Sequence, residues 1–298
     1  MNLQDALDSE AGLLRAAAGT STAGSRQFAA RGVPTESSFR IASLTKTFTS
    51  AALVLTMREQ NIPLNVPAIS LLPQLAPDWQ ADRGLAVDQI LGQVSGLRES
   101  VDASTVAPLT LTEAARLVVR AGNERDPGAR WSYYNGNYFL AGTILAALTG
   151  ADYETALRRT LLDPWKLTQT TFAAPHEYPP ARRPSGGLWS SVPDLLTLGE
   201  HLIGDRSLLQ ETRTPRTNPD DPMTYGLGWA IGPSAQLYLN GRLPGYRAAM
   251  LLVPDRAYAS VILTDNENAL PAAARVLSAA QRSLTGDDLA ADIDRFAA

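Results

Sequence analysis

Short apolar runs bounded by turn residues open and close this chain, and between them the apolar spacing becomes helical. Near the N-terminus, roughly Gly12–Ala18 and Arg26–Gly32 read as two strands on either side of the turn-rich cluster Gly19–Gly24. From Ser43 to about Glu59 the pattern predicts one helix. Ala51, Ala52, Val54 and Leu55 spread apolar bulk over most of its sides, as expected of a helix buried within a large domain. Further helices are predicted at Leu111–Ala121, Asn137–Thr149, Tyr153–Leu162 and Val192–Leu202, the last with Ser191 as its N-cap. Strands return at Tyr225–Ile231, Gln236–Asn240, Arg247–Val253 and Ala257–Thr264. A helix over about Leu270–Leu284 and a short tail helix follow.

Strands at both ends with helices between predict an α+β fold. Residues 1–62 and 221–298 would supply an antiparallel β-sheet flanked by helices. Residues 63–220 would form an inserted, mostly helical lobe of the same single domain. A cleft between two such lobes is the expected place for a site.

Composition narrows the chemistry. At 298 residues and 45% hydrophobic, the chain can bury a large core, and its net charge of −4 comes without a basic stripe for nucleic acid. It has no cysteine, which excludes disulfides, thiol catalysis and cysteine-ligated zinc. The two histidines, His176 and His201, lie in unrelated settings and form no helical metal pair, and no G-x-S-x-G elbow occurs. The first residues, MNLQDALDSEAG, lack the basic start and apolar stretch of a signal peptide. No apolar run approaches the roughly 18 to 20 residues that span a bilayer. As written, the chain is expected to be cytoplasmic, or periplasmic or secreted if a leader has been removed. Its oligomeric state is not legible.

Lysine usage singles out one position. Only Lys46 and Lys166 stand against 24 arginines. Arginine stays protonated, whereas a buried lysine can lose its proton near neutrality. Lys46 follows Ser43 by three residues, so on a helix the amine and hydroxyl share a face. A desolvated Lys46 could take the proton of Ser43, and the helix N-terminus would favour a developing oxyanion.

A second segment strengthens that reading: Tyr133 and Asn135 stand two apart in WSYYNGNYFLAGTILAALTG. Together with Ser43-x-x-Lys46 in FRIASLTKTFTS, this resembles the first two motifs of the serine β-lactamase and penicillin-binding-protein superfamily. The likeness is greatest to its class C β-lactamase, D-Ala-D-Ala carboxypeptidase and related esterase branch. LGQVSGL at 91–97, LDPWKLTQT at 162–170, SGGLWS at 185–190 and YGLGW at 225–229 follow in family order. The resemblance implies a sheet flanked by helices beside a helical lobe, and no metal or cofactor. It implies Ser43 as the acylated nucleophile, Lys46 as proton acceptor and Tyr133 as a second acid or base. Asn135 would hydrogen-bond both substrate amide and Lys46.

The third family motif departs from the pattern. Where the family has Lys or His, a small residue and Gly, this chain has Leu239-Asn240-Gly241. Gly241 lets substrate lie against the strand, and the Arg242 N–H would be a second oxyanion donor. Leu239 can neither give a proton nor attract a carboxylate, a loss of about 1.5–3 kcal/mol of charged hydrogen bonding. The expected activity is therefore a serine hydrolase acting through an acyl-enzyme on a small ester or amide. The alternative is a β-lactamase or D-amino-acid peptidase in which Arg242 or Arg247 restores the cation. A non-turnover ligand-binding or sensor domain of the same fold is the reading from another class.

Overall fold

The computed structural model describes residues 2–296. Helix α1 (Leu3–Asp8) is followed by strands β1 (Ala16–Thr22), β2 (Ser25–Arg31) and the short β3 (Phe39–Arg40). A 3₁₀ turn at Ala42–Leu44 leads into α2 (Thr45–Glu59). The middle of the chain holds α3 (Ala68–Leu71), α4 (Val87–Leu91), α5 (Ala103–Val106), α6 (Leu111–Arg120), α7 (Asn135–Thr149) and α8 (Tyr153–Leu157). After β4 (Thr171–Phe172) come α9 (Arg183–Gly186), β5 (Leu188–Ser190), α10 (Val192–Gly204) and α11 (Arg206–Arg213). Strands β6 (Ala230–Ile231), β7 (Leu237–Leu243), β8 (Tyr246–Val253) and β9 (Tyr258–Thr264), then α12 (Leu270–Thr285) and α13 (Ala290–Arg295), complete it.

The main sheet has six antiparallel strands in the order β2-β1-β9-β8-β7-β6, so strands from the two ends of the chain meet where β1 pairs with β9. An α+β fold with a sheet built from both termini is thus what forms. Helix α10 packs on β1 and β9, while α12 packs on β8 and β9. With helices against it, β9 (YASVILT) is buried at every position, and its side chains are mostly apolar rather than alternating with polar ones. A second, three-stranded sheet, β3-β5-β4, pairs the segment just before Ser43 with Leu188–Ser190.

Several boundaries differ from the sequence expectations for physical reasons. The first strand runs from Ala16 to Thr22, through the cluster expected to turn. Gly19 is there for close approach: a Cβ on it would lie 2.6 Å from Val192 Cγ1 and 3.0 Å from Leu196 Cδ1. The strand expected over Tyr225–Ile231 contracts to Ala230–Ile231, because the Gly226 N–H bonds the Trp229 carbonyl and the Leu227 N–H the Thr212 carbonyl. Helices α1 and α11 were not anticipated; each is short and opened by a side-chain cap, Asn2 and Asp205 respectively. Ser191 caps α10 as its spacing predicts.

Helix α2 is buried over nearly its whole length, including the polar Thr45, Lys46, Thr47, Thr49 and Ser50. It packs on α7 and α9 and leads out of the turn against β7, where the candidate site lies. If close packing is what requires Gly19, Gly19→Val overpacks the joint between β1 and α10 and costs about 1–3 kcal/mol in urea unfolding. Gly12→Ala, whose Cβ would meet only Ala269 at 4.0 Å, serves as the near-neutral control.

Candidate active site

The turn that carries Ser43 is held in an uncommon conformation. Ala42 adopts φ +47°, in the left-handed region where a side chain costs about 1–3 kcal/mol. Strand β7 presses on this turn from one side. A Cβ at position 241 would lie 2.2 Å from the Ile41 carbonyl oxygen and 3.2 Å from Ala42 Cβ, so only glycine lets the strand come this close. Pairing of Phe39 and Arg40 with β5 fixes the entry to the turn. Ser43 emerges half-buried beside a fully buried Lys46.

Three segments far apart in sequence converge on the Lys46 amine. Its Nζ lies 2.8 Å from Asn135 Oδ1, 2.8 Å from the Ser185 carbonyl oxygen and 3.2 Å from Ser43 Oγ. It sits over the rings of Tyr133 and Tyr138, at 4.8 and 5.4 Å. No carboxylate pairs with it among the described residues. Desolvation, reinforced by the nearby Arg182 charge, therefore holds its pKa well below the ordinary lysine value of 10.5. A neutral amine has two N–H donors and one lone pair. In that neutral form the two carbonyl-type oxygens would take both donors and leave the lone pair for the Ser43 hydroxyl.

Tyr133 lies two residues before the start of α7, and its hydroxyl lies 2.6 Å from Ser43 Oγ. Burial raises its pKa above the ordinary 10.0, while the bond to Ser43 works weakly the other way. Burial thus favours the protonated tyrosine, whose hydroxyl donates to Ser43 Oγ. The 133–135 segment is braced by Gln93: its Oε1 accepts from the Tyr134 N–H at 3.0 Å and Asn137 Nδ2 at 2.5 Å, and its carbonyl accepts from the Ser132 N–H at 2.9 Å. The LGQVSGL phrase marked this stretch in the sequence without showing what Gln93 does. Ser185 was likewise invisible as a contributor, because it acts through its backbone oxygen.

Ser43, Lys46, Tyr133, Asn135 and Gly241 therefore meet in one place. Arg242 divides into two parts. The two-residue turn Pro244-Gly245 makes Leu243 and Tyr246 the bonded closing pair of the β7–β8 hairpin. By alternation, Arg242 opposite Arg247 is a non-bonded pair whose N–H points away from β8. Its side chain leaves the site: the exposed guanidinium donates to the Asp294 carbonyl. Arg247 is also occupied, donating to the carbonyls of Leu243 and Tyr246 at 2.8 and 2.7 Å. The expectation that one of these arginines replaces the missing cation is not met by this geometry.

The comparisons agree with this architecture. The beta-lactamase family model matches residues 10–282, and the chain belongs to that family. Protein flp of Staphylococcus aureus (strain N315) is 24% identical over 265 residues, covering 76% of this chain and 52% of that protein, so the chain spans about half the length of this curated relative. Among solved structures, a D-stereospecific amidohydrolase from Streptomyces sp. superposes with TM-score 0.76 at 21% identity, covering 96% of this chain and 98% of that one. The D-amino acid amidase from Ochrobactrum anthropi SV3 gives 0.76 at 20%, covering 94% and 98%. EstCE1, a hydrolase with promiscuous acyltransferase activity, gives 0.74 at 15%, covering 90% and 92%. These likenesses establish a shared fold. No helix of the described residues is long and apolar enough to cross a membrane.

The buried amine has a thermodynamic signature. Between its depressed folded pKa and 10.5, the unfolded chain holds one proton more than the folded chain at Lys46. Its contribution to stability therefore rises with pH across that window. Urea unfolding at a series of pH values is expected to show this rise in the wild type and its loss in Lys46→Met.

Proposed function

We propose that the protein is a serine hydrolase that cleaves small ester or amide substrates through an acyl-enzyme at Ser43. The observation that carries this is the buried Lys46 amine, which has no carboxylate partner among the described residues and lies 3.2 Å from Ser43 Oγ and 2.8 Å from both Asn135 Oδ1 and the Ser185 carbonyl oxygen. Ser43 Oγ attacks the substrate carbonyl as Lys46 takes its proton. The N–H groups of Ser43 and Arg242 receive the oxyanion. As the bond to the leaving group breaks, Tyr133 gives it a proton, and the proton held by Lys46 restores the Tyr133 hydroxyl. Water then attacks the acyl carbonyl with Lys46 as base, the carboxylic acid departs and Ser43 regains its proton.

Asn135 has a further part in this scheme. With Oδ1 committed to Lys46, its Nδ2 has no protein acceptor among the described residues and can donate to a carbonyl in the acyl group. An amide substrate is supported by the amidohydrolase and the amidase among the structural neighbours.

A fluorophosphonate probe followed by peptide mass spectrometry is expected to label Ser43 in the wild type and not in Ser43→Ala. In a panel of methyl esters and primary amides, Ser43→Ala is expected to lose at least about 10³-fold in kcat, and Lys46→Met or Tyr133→Phe about 10²–10⁴-fold. The wild-type kcat/KM is expected to rise with pH as Lys46 loses its proton, since the neutral amine is the active form. Full activity in Ser43→Ala contradicts the proposal. A stable adduct without product release points instead to a binding or sensor role.

A further inference from the structure

The C-terminal segment reaches into the site from behind β7. Leu239 and Gly241 share the face of β7 turned to the Ser43 turn, whereas Asn240 and Arg242 project from the other. On that other face they hold α13. Asn240 Nδ2 donates to the carbonyls of Ile293 and Phe296 at 2.6 and 3.1 Å, and the Arg242 guanidinium donates to that of Asp294. Anchored in this way, the segment sets the Phe296 ring edge-on to Tyr133, with centroids 5.6 Å apart at 89°. The same ring stacks on Tyr225 at 5.9 Å and meets Trp131 at 6.3 Å. Phe296 is fully buried there, more than 250 residues away in sequence from Ser43.

Resting on the reading above, in which Tyr133 protonates the leaving group, we propose that Phe296 determines leaving-group specificity. The groups around the Tyr133 hydroxyl are the groups a leaving group meets. Phe296 backs the Tyr133 ring with apolar bulk, and Leu239 stands in the position of the missing cation, so on this proposal that side of the site is short and apolar. A leaving group bearing a carboxylate finds no cation at position 239, and the guanidinium groups of Arg242 and Arg247 are directed to backbone carbonyls. The substrate class is therefore an ester or amide whose leaving group is small and uncharged, a short alcohol or ammonia. A peptide bond followed by a carboxylate-bearing residue is a poor substrate on this proposal.

The test holds the acyl group at whichever one the methyl ester and amide panel turns over best. It compares kcat/KM for the methyl ester, the benzyl ester and the alanine-terminated peptide in wild type, Phe296→Ala and Phe296→Leu. The wild type is expected to prefer the methyl ester. Phe296→Ala is expected to raise the benzyl-to-methyl ratio by about tenfold or more and to leave the carboxylated substrate poor. Phe296→Leu keeps apolar bulk and shifts the ratio less; if Phe296→Ala does not fold, the leucine variant carries the comparison. An unchanged ratio, or an equal rise for every substrate, overturns the assignment while leaving the acyl-enzyme reading intact. Failure of the fluorophosphonate to label Ser43, with no turnover in the panel, overturns both.

Discussion

The site depends on a lysine taken out of water without a counter-ion. An ammonium group in that position would be costly, and burial lowers its pKa well below the ordinary lysine value, which favours the neutral amine. Neutrality in turn dictates the surroundings. Two donors need two acceptors, which are supplied by a side chain at the start of α7 and a backbone carbonyl in α9. A third neighbour must have a proton to give, and that is Ser43. The amine thereby joins α2, α7 and α9 through one atom, and a carboxylate placed beside it would have restored the charge and removed the base.

Other elements keep this arrangement in place. The main sheet brings β7 against the Ser43 turn, and Gly241 sets how close it comes. The small sheet holds the entry to that turn, which lets Ala42 remain in a conformation it would not adopt alone. Burial does opposite things to the two partners of Ser43: it lowers the lysine and raises the tyrosine. Two titratable groups pushed apart in this way are suited to act as base and acid on one hydroxyl.

Ser43, Lys46, Tyr133 and Asn135 were legible because their side-chain types at short spacings carry chemical meaning, and the scarcity of lysine drew attention to one of them. Most of the sheet was legible because its central strands are apolar runs bounded by turn residues. What was not legible acts through backbone or through distance. The Ser185 carbonyl has no residue-type signature, and the strain at Ala42 follows from packing around an ordinary alanine. Gly19 looked like a turn residue and instead makes room for α10. Arg242 looked like a spare cation until the fold placed its guanidinium on the far face of β7. Phe296 follows directly on the short helix α13, and nothing local marks it as a neighbour of Tyr133.

The central claim concerns the charge of one amine, and the composition makes that directly measurable. With only Lys46 and Lys166 in the chain, lysine labelled with ¹³C at Cε gives two resonances, and a Lys166→Arg variant leaves the one from Lys46. Titrating that resonance by NMR reports the proton on Nζ. The account predicts a midpoint well below 10.5 and a neutral amine at the pH where the enzyme works. A midpoint at or above 10.5 would mean a buried ammonium, which has no lone pair for Ser43 and contradicts the account.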